Sequence, residues 1–348
     1  MGGASKTYPL RDHFQVLEDR GAKGTKSDPL ISFFPCWATA RSARFAGSRL
    51  ESRRLAKDLP QPPSTPSTPA PMRFALPCFV ALALVSCAGP RLDVDEVLTG
   101  GPTSEEDPSA FPRCADFDAQ ASRARAALRS DASDVTALVA ASRALFLAAD
   151  ARVQRAVIDA LDARPTATLG EVLSAEDSLS PDLRAEVEAL TGEGLEQAER
   201  ALELAPSDPT ALLYRAIHTS LLAWSVGPTR ALFEGLGSDC EAATFDALAA
   251  DEAIEAAGPL RLRGRFLSKA PWPLGDAERA VAHLCRATEL FPVRLNWLFL
   301  GDALHAHGDH AAAREAWQQA IDADSDPDSA PLGAYHRELA RRRLAGGR

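Results

Sequence analysis

The 348-residue sequence lacks the motifs by which many enzymes are recognised. It contains no P-loop, GxGxxG, GxSxG or HExxH motif and no CxxC pair, so the commonest nucleotide, hydrolase and zinc chemistries have no signature here. No segment alternates apolar and polar residues for long, and we therefore expect no β-sheet. The formal net charge of −10 argues against a nucleic-acid-binding surface spread over the molecule. These absences favour a non-enzymatic protein without a cofactor.

Methionine is scarce, and its two positions are informative. Met72, the only methionine besides Met1, directly precedes one arginine, twelve uncharged residues and a group of small residues. This is the layout of a secretory signal, and its apolar stretch would span about 18 Å as a helix, too short for a bilayer core of about 30 Å. Residues 1–71 hold four of the five lysines and end in a Pro/Ser/Thr run typical of disordered segments. We expect residues 1–71 to be a disordered, artefactual extension.

The segment Leu84-Val85-Ser86-Cys87 resembles the lipobox of bacterial lipoproteins. The resemblance implies that residues 72–86 are a signal peptide and that Cys87 is acylated after cleavage. The alternative is a buried apolar helix with an incidental cysteine. Residues 87–113 are rich in Gly, Pro and acids and suit a flexible tether. Beyond residue 86 the chain has 26 basic and 42 acidic residues, a net charge of −16.

Residues 114–348 show the pattern of an all-α repeat protein. Alanine is abundant, and the turns SDASD, APSDP and GD recur between amphipathic runs. The clearest unit places large and small residues at fixed spacing. Its packing positions are Trp297, Leu300, Gly301, Leu304, Gly308, Ala313, Trp317 and Ala320. The unit resembles the tetratricopeptide repeat, which predicts a solenoid of antiparallel helix pairs.

Each position of this unit has a packing role. Gly301 and Ala313 should let two helices approach closely, while Trp297, Leu304 and Trp317 fill the space between them and the next repeat. We expect Gly308 and Asp309 to form the turn between the helices, with Gly308 at positive φ and Asp309 as the N-cap.

Other segments carry parts of the same pattern. The preceding unit has its packing positions at Gly275, Ala280, Leu284, Ala287 and Pro292. Residues 194–206 read as a third closing helix, and residues 126–146 as a weaker copy. The last helix, residues 335–344, carries four arginines and is expected to be a solvating cap, with contact to anionic lipid as the alternative.

The stretch from residue 256 to residue 276 is too rich in Gly and Pro for a generic repeat helix. Its notable runs are Gly258-Pro259-Leu260-Arg261, Gly264-Arg265-Phe266, Ala270-Pro271-Trp272-Pro273 and Gly275-Asp276. They resemble the signature of the T component of TRAP transporters, a family of TatT-like periplasmic tetratricopeptide lipoproteins, and the resemblance covers roughly residues 190–325. It implies a lipid-anchored helical body that docks a periplasmic solute-binding protein, and a homo-oligomer with an apolar ligand passage.

The sequence is also compatible with a second function, and it carries one indication of location. The alternative function is a general tetratricopeptide scaffold for envelope assembly, with another envelope protein as partner. The residue after the lipidated Cys87 is Ala88 rather than an aspartate. By resemblance to the sorting of enterobacterial lipoproteins, this favours the outer membrane.

The same stretch supplies candidate binding residues in an acidic protein. Arg261, Arg265 and Lys269 share a face at helical spacing, and Trp272 follows them. They are candidates for contact with a carboxylate on a ligand or partner. The alternative role is structural, in which these cations satisfy helix C-terminal carbonyls or neighbouring acids.

Two polar clusters raise the question of metal binding. His305, His307 and His310 provide three imidazoles close together in the sequence, and imidazole is a ligand for zinc and copper. They lie across a repeat turn, however, and His305 and His307 diverge by about 200° on a helix, so no metal is assigned. The aspartates at 322–328 alternate like a calcium loop, but Pro327 and Gly333 occupy the required Gly and Glu positions. A solvated acidic loop is expected there.

Cysteine usage is low after the lipobox. Cys114, Cys240 and Cys285 allow at most one internal disulfide, and the sequence does not select the pair.

Overall fold

A computed structural model describes residues 111–271, 273–327 and 329–346. Within these residues the chain forms twelve α-helices, two short 3-10 helices (Ala175–Ser178 and Ala330–Leu332) and no strand, which confirms the all-α prediction. The helices are α1 (Cys114–Ser130), α2 (Val135–Asp162), α3 (Leu169–Leu173), α4 (Pro181–Leu204), α5 (Pro209–Ser225), α6 (Pro228–Glu234), α7 (Leu236–Ala250), α8 (Ile254–Lys269), α9 (Ala277–Leu290), α10 (Arg294–His307), α11 (His310–Asp322) and α12 (Gly333–Gly346). Residues 1–71, residues 72–86 and Cys87 lie outside the described residues, as does the tether up to residue 110.

The turns predicted from the sequence begin helices as expected. Asp134, Asp208, Asp276 and Asp309 each accept a hydrogen bond from a backbone N–H in the first turn of the helix that follows. An aspartate at this position satisfies one of the donors that a helix start leaves unpaired. Gly308 ends α10 with φ +98°, in the left-handed region, as predicted for the turn within the repeat.

Consecutive helices pack on each other through most of the described chain. Helix α2 lies between α1 and α4, α5 lies between α4 and α7, and α8 to α12 pack in order. Short connections between packed neighbours are typical of antiparallel helix pairs. Alanines fill the contacts, with Ala198, Ala201, Ala216, Ala247 and Ala287 all without solvent exposure. The described residues therefore form a tetratricopeptide-like helical solenoid.

The repeat at residues 297–320 packs as its sequence predicts. Trp317 is fully buried, and a Cβ added to Gly301 would lie 2.4 Å from its Cδ1 atom, so only glycine admits the indole here. Leu300, Leu304, Ala313 and Ala320 are buried in the same helix pair. Trp297 is only partly buried.

The preceding unit also matches its predicted pattern. Ala280, Leu284 and Ala287 are fully buried on α9. Gly275 lies in the connection before α9, where an added Cβ would lie 2.0 Å from the carbonyl oxygen of Ala270. Pro292 follows the end of the helix and is exposed.

The prediction of a solvating C-terminal cap is wrong. Helix α12 contacts α2, α3, α10 and α11, and it buries Tyr335, His336, Leu339 and Arg343. The Tyr335 hydroxyl donates to the Pro112 carbonyl oxygen at 2.7 Å, and its ring stacks on Phe111 with centroids 4.8 Å apart. The last helix thus closes against the beginning of the solenoid. Arg342 and Arg343 pair with Asp162 and Asp302 of other helices, and Arg341 pairs with Glu338 of the same helix.

Among the described residues, no helix is both long enough and apolar enough to cross a membrane.

Candidate functional site

Charged side chains from four elements meet at the centre of the closed solenoid. Glu176 Oε1 and Oε2 lie 2.7 Å from Lys269 Nζ and Arg265 Nη2, respectively. Arg265 Nη1 lies 3.7 Å from Asp302 Oδ2, and Asp302 Oδ1 lies 2.6 Å from Arg343 Nε. We call these five residues the central ion cluster. It joins the first 3-10 helix to α8, α10 and α12.

Burial and charge set the protonation states in and beside the cluster. Burial alone would raise the pKa of Glu176, but Arg265 and Lys269 outweigh it and lower that pKa to about 2. For Arg265, burial opposes the charged form, yet Glu176 and Asp302 raise its pKa overall. Burial raises the pKa of the neighbouring Asp150 to about 6, against the lowering effect of a hydrogen bond from Gln154. Glu176 and Arg265 are therefore charged at neutral pH.

A small enclosed cavity of about 20 Å³ adjoins the cluster. Its polar wall includes Glu176, Arg265, His336 and Arg343. Its apolar wall comprises Val157, Val172, Leu173, Leu298, Phe299 and Leu339. Burial, with nearby Arg261 and Arg294, lowers the pKa of His336 to about 3, so this imidazole is neutral at pH 7. A volume of this size holds roughly one water molecule and is not a passage for an organic ligand.

A second polar network holds an unusual turn at the start of α8. Glu255, Ala256 and Ala257 have φ between 47° and 64°, a left-handed conformation that costs about 1–2 kcal/mol per non-glycine residue. Arg261 donates to the carbonyl oxygens of Ala256 and Glu255, and Asn296 Nδ2 donates to that of Ala256 at 3.0 Å. These hydrogen bonds fix the strained turn from both sides.

Arg261 also reaches the segment between α11 and α12. Its Nη1 donates to Asn296 Oδ1 at 2.9 Å, and its Nη2 lies 3.3 Å from Asp326 Oδ2. The side chain of Asp326 is fully buried. The expectation of a solvated acidic loop is therefore wrong for Asp326, because Arg261 offers it a buried cation.

The candidate binding residues of α8 are thus paired within the protein. Arg261 binds carbonyls and Asp326, Arg265 binds Glu176 and Asp302, and Lys269 binds Glu176. These contacts correspond to the structural alternative for all three cations. Trp272 lies outside the described residues.

An open groove of about 520 Å³ lies between α7, α8 and α9. Leu248, Leu260 and Ala282 line its apolar part, and an ion pair of 2.9 Å between Arg286 and Glu252 stands at its edge. A groove of this size is larger than the enclosed cavity and is open to solvent. It is a concave surface that a protein segment can contact.

Helix α6 adds an apolar surface. None of its residues is buried, and Leu232 and Phe233 are 66% and 85% exposed. Glycines at positive φ, Gly227 and Gly235, stand at its two ends. Two large apolar side chains are therefore exposed to solvent on this short helix.

The three candidate histidines are only partly brought together. His305 and His310 approach with 3.0 Å between their Nδ1 atoms, and His307 is exposed on the last turn of α10. Among the residues that the structure describes, no three His, Cys, Asp or Glu side chains are arranged to hold a metal ion.

Cys114, Cys240 and Cys285 are free thiols. Burial raises the pKa of Cys240 to about 11 and that of Cys285 to about 12, so both remain protonated at neutral pH.

Several residues at the centre were not found from the sequence. They are Asp150, Glu176, Asp302, His336 and Arg343. The one local signal was Asp302, which follows the close-approach Gly301 and so lies on a buried helix face. The others depend on partners far away in the sequence, and a single helix pattern does not reveal them.

Comparison with known proteins agrees with the repeat architecture. No family model matches the chain. A TPR repeat-containing protein of Pseudomonas aeruginosa is 46% identical over 56 residues, which is 16% of this chain and 53% of that protein. The chain thus spans about half the length of this curated relative. Together with the helix pairs, the match supports a tetratricopeptide-type protein.

Proposed function

We propose that this protein is a lipid-anchored, periplasm-facing docking protein without catalytic activity, similar in role to the T component of a TRAP transporter. Such a component would hold a solute-binding subunit near the membrane and assist solute uptake. The tetratricopeptide-like fold is typical of proteins that bind other proteins. The lipobox at Cys87 and the signature between residues 258 and 276 are the sequence features that favour this family.

The observation that carries the proposal is the structural use of that signature. A Cβ on Gly258 would lie 2.9 Å from Leu213 Cδ2, and one on Gly264 would lie 2.5 Å from Leu284 Cγ. The signature arginines, Arg261 and Arg265, enter the two polar networks. Gly258 and Gly264 therefore meet a requirement of close packing, and Arg261 and Arg265 one of ion pairing, as expected if the signature specifies one particular solenoid.

The centre of the molecule supports a non-catalytic role. The acids and bases of the central ion cluster pair with each other, and the cavity beside them holds roughly one water molecule. A docking role instead uses outer surfaces, of which the groove between α7, α8 and α9 and the exposed side chains of α6 are examples.

A general scaffold for envelope assembly is the second candidate. The identity to a TPR repeat-containing protein favours it, because that match concerns the repeat itself. The small size of the central cavity also favours it over a protein that conducts an apolar ligand.

The lipid anchor is tested by metabolic labelling of the full chain with a radioactive fatty acid in a bacterial host. We expect label on the wild-type protein and on the Cys78→Ser control, and none on Cys87→Ser. Release of Cys87→Ser from the membrane fraction should accompany the loss of label. Equal labelling of both variants would contradict the anchor.

The partner is tested separately, by chemical crosslinking of the tagged chain in its native cells and mass spectrometry of the products. A solute-binding subunit of a TRAP transporter among the crosslinked products supports the transport role. Crosslinks confined to envelope assembly proteins support the scaffold instead. Both outcomes are independent of the labelling experiment.

A further inference from the structure

The turn between α10 and α11 brings two imidazoles into contact. His305 lies in the last turn of α10 and His310 is the first residue of α11. Their Nδ1 atoms are 3.0 Å apart, the ring centroids are 4.6 Å apart and the ring planes are inclined at 45°. We propose that this pair is a binding site for a divalent transition metal that prefers tetragonal geometry, copper(II) above all.

The distance between the two nitrogens is compatible with tetragonal coordination of a shared ion. With metal–nitrogen bonds of about 2.0–2.1 Å, nitrogens 3.0 Å apart subtend an angle of about 94° at a shared ion. A tetrahedral ion such as zinc would need the nitrogens about 3.3 Å apart. Square-planar or tetragonal coordination is typical of copper(II) and nickel(II), and copper(II) binds more tightly in the general affinity order.

The surrounding structure holds the two rings in place. Gly308 at φ +98° and Asp309, which caps α11 through the backbone N–H of Ala312, define the turn. His305 lies against the buried Trp317, with 5.9 Å between ring centroids. A site whose ligands are positioned before binding loses less conformational freedom when the ion arrives.

The neighbouring acid, Asp302, is not a ligand, because Trp317 Nε1 and Arg343 already bind its carboxylate. Water or a group from a partner would complete the coordination.

The competing interpretation is a plain hydrogen bond in which one neutral imidazole donates its Nδ1–H to the other. Such a pair would show no selective affinity for copper(II). It would also leave the two exposed histidines, His307 and His310, equivalent in a metal titration.

The test is a titration of the purified full chain with copper(II) chloride in a non-chelating buffer, followed by calorimetry and electron paramagnetic resonance. We expect a saturable site with nitrogen ligands in a tetragonal spectrum. His310→Ala should weaken this site at least tenfold, whereas His307→Ala should leave its affinity within twofold. Zinc chloride should bind at least tenfold more weakly than copper(II) at the same site.

Three outcomes would overturn the proposal: no saturable binding, equal binding by His310→Ala and the wild type, or zinc binding tighter than copper(II). Because His310 is exposed, its alanine variant should keep the wild-type circular dichroism spectrum. A His305→Ala variant provides a second measurement with the same expected loss of affinity.

Discussion

Arg343 and Asp302 form a bidentate ion pair that ties the last helix to the middle of the final repeat. Arg343 Nε lies 2.6 Å from Asp302 Oδ1, and Arg343 Nη2 donates to Oδ2 at 2.8 Å. Both side chains are less than one tenth exposed. When both charges are withdrawn from water, removal of one leaves the other buried and uncompensated.

Asp302→Ala is therefore expected to lower the free energy of unfolding by about 3–5 kcal/mol. The Trp317 indole also loses its acceptor in this variant. Asp159→Ala is the matched control, since Asp159 pairs with Arg155 on the surface with both side chains about half exposed, and it should cost less than about 1 kcal/mol. Urea denaturation of both variants measures the difference. Equal decreases in the free energy of unfolding for the two variants would show that the buried Arg343–Asp302 pair contributes no more than an exposed ion pair.

Gly301→Ala tests the close approach of α10 to the repeat tryptophan. The added Cβ would lie 2.4 Å from Trp317 Cδ1, and such overpacking costs about 1–3 kcal/mol. Gly192→Ala is the control, because Gly192 is an exposed position inside α4 with no atom within 4 Å of the new Cβ. That change should stabilise the protein by about 0.4–1 kcal/mol. Thermal unfolding of the two variants should therefore shift Tm in opposite directions, and a shift in the same direction contradicts the packing.

Stability should fall as the pH is lowered from 7 to 4. Burial lowers the pKa of His218 to about 4 and that of His336 to about 3, from an ordinary value of 6.5. Between these pKa values the unfolded chain binds protons that the folded chain does not bind. Each histidine therefore lowers the free energy of unfolding as the pH falls. Asp150 acts with the opposite sign, because its folded pKa of about 6 exceeds its ordinary 3.8 and the folded state holds the proton between them. The two histidines lower the free energy of unfolding and Asp150 raises it, which leaves a net decrease on the order of 3 kcal/mol between pH 7 and pH 4.

Urea denaturation at pH 7, 6, 5 and 4 measures this loss. Asp150→Asn removes the opposing contribution, so this variant should be more stable at pH 7 and lose stability more steeply on acidification. Glu176 adds its own loss only when the pH falls from about 4.5 towards 2, where its carboxylate is protonated. A flat profile from pH 7 to pH 5 would refute the assignment to the two histidines.

Tyr335→Phe should weaken the closure of the solenoid without unfolding it. The variant loses the hydrogen bond to the Pro112 carbonyl oxygen but keeps the ring that stacks on Phe111, at a cost of about 1 kcal/mol. Hydrogen exchange measured by mass spectrometry should become faster at the start of α1 and in α12. Exchange in α9, which has no contact with this hydrogen bond, is the internal reference. Unchanged exchange in α1 would mean that the stack alone holds the closure.

Local sequence pattern was sufficient for the all-α class, for the repeat at residues 297–320 and for four helix starts, at Asp134, Asp208, Asp276 and Asp309. Gly301 opposite Trp317 and Gly308 before Asp309 follow from spacing within one helix pair, since every partner lies within twenty residues.

The centre could not be predicted in this way. Arg265 and its partner Glu176 are 89 residues apart, and Arg342 contacts Asp162 across 180 residues. The arginines of α12 resemble those of an exposed cap unless the acids that face them are known. The left-handed turn at Glu255–Ala257 likewise depends on Asn296, about forty residues away, and glycine, which usually marks such a conformation, is absent from these three positions.

The contact between α12 and the segment before α1 also bears on the order in which this protein folds. Neighbouring helix pairs form contacts that are close in sequence, and such contacts are made early because little chain entropy is lost. The Tyr335–Pro112 hydrogen bond joins residues 223 positions apart, and the entropy of closing so long a loop must be overcome before it forms. We expect the helix pairs to assemble first, and Tyr335 of α12 to reach Pro112 at the start of the solenoid only in the final step.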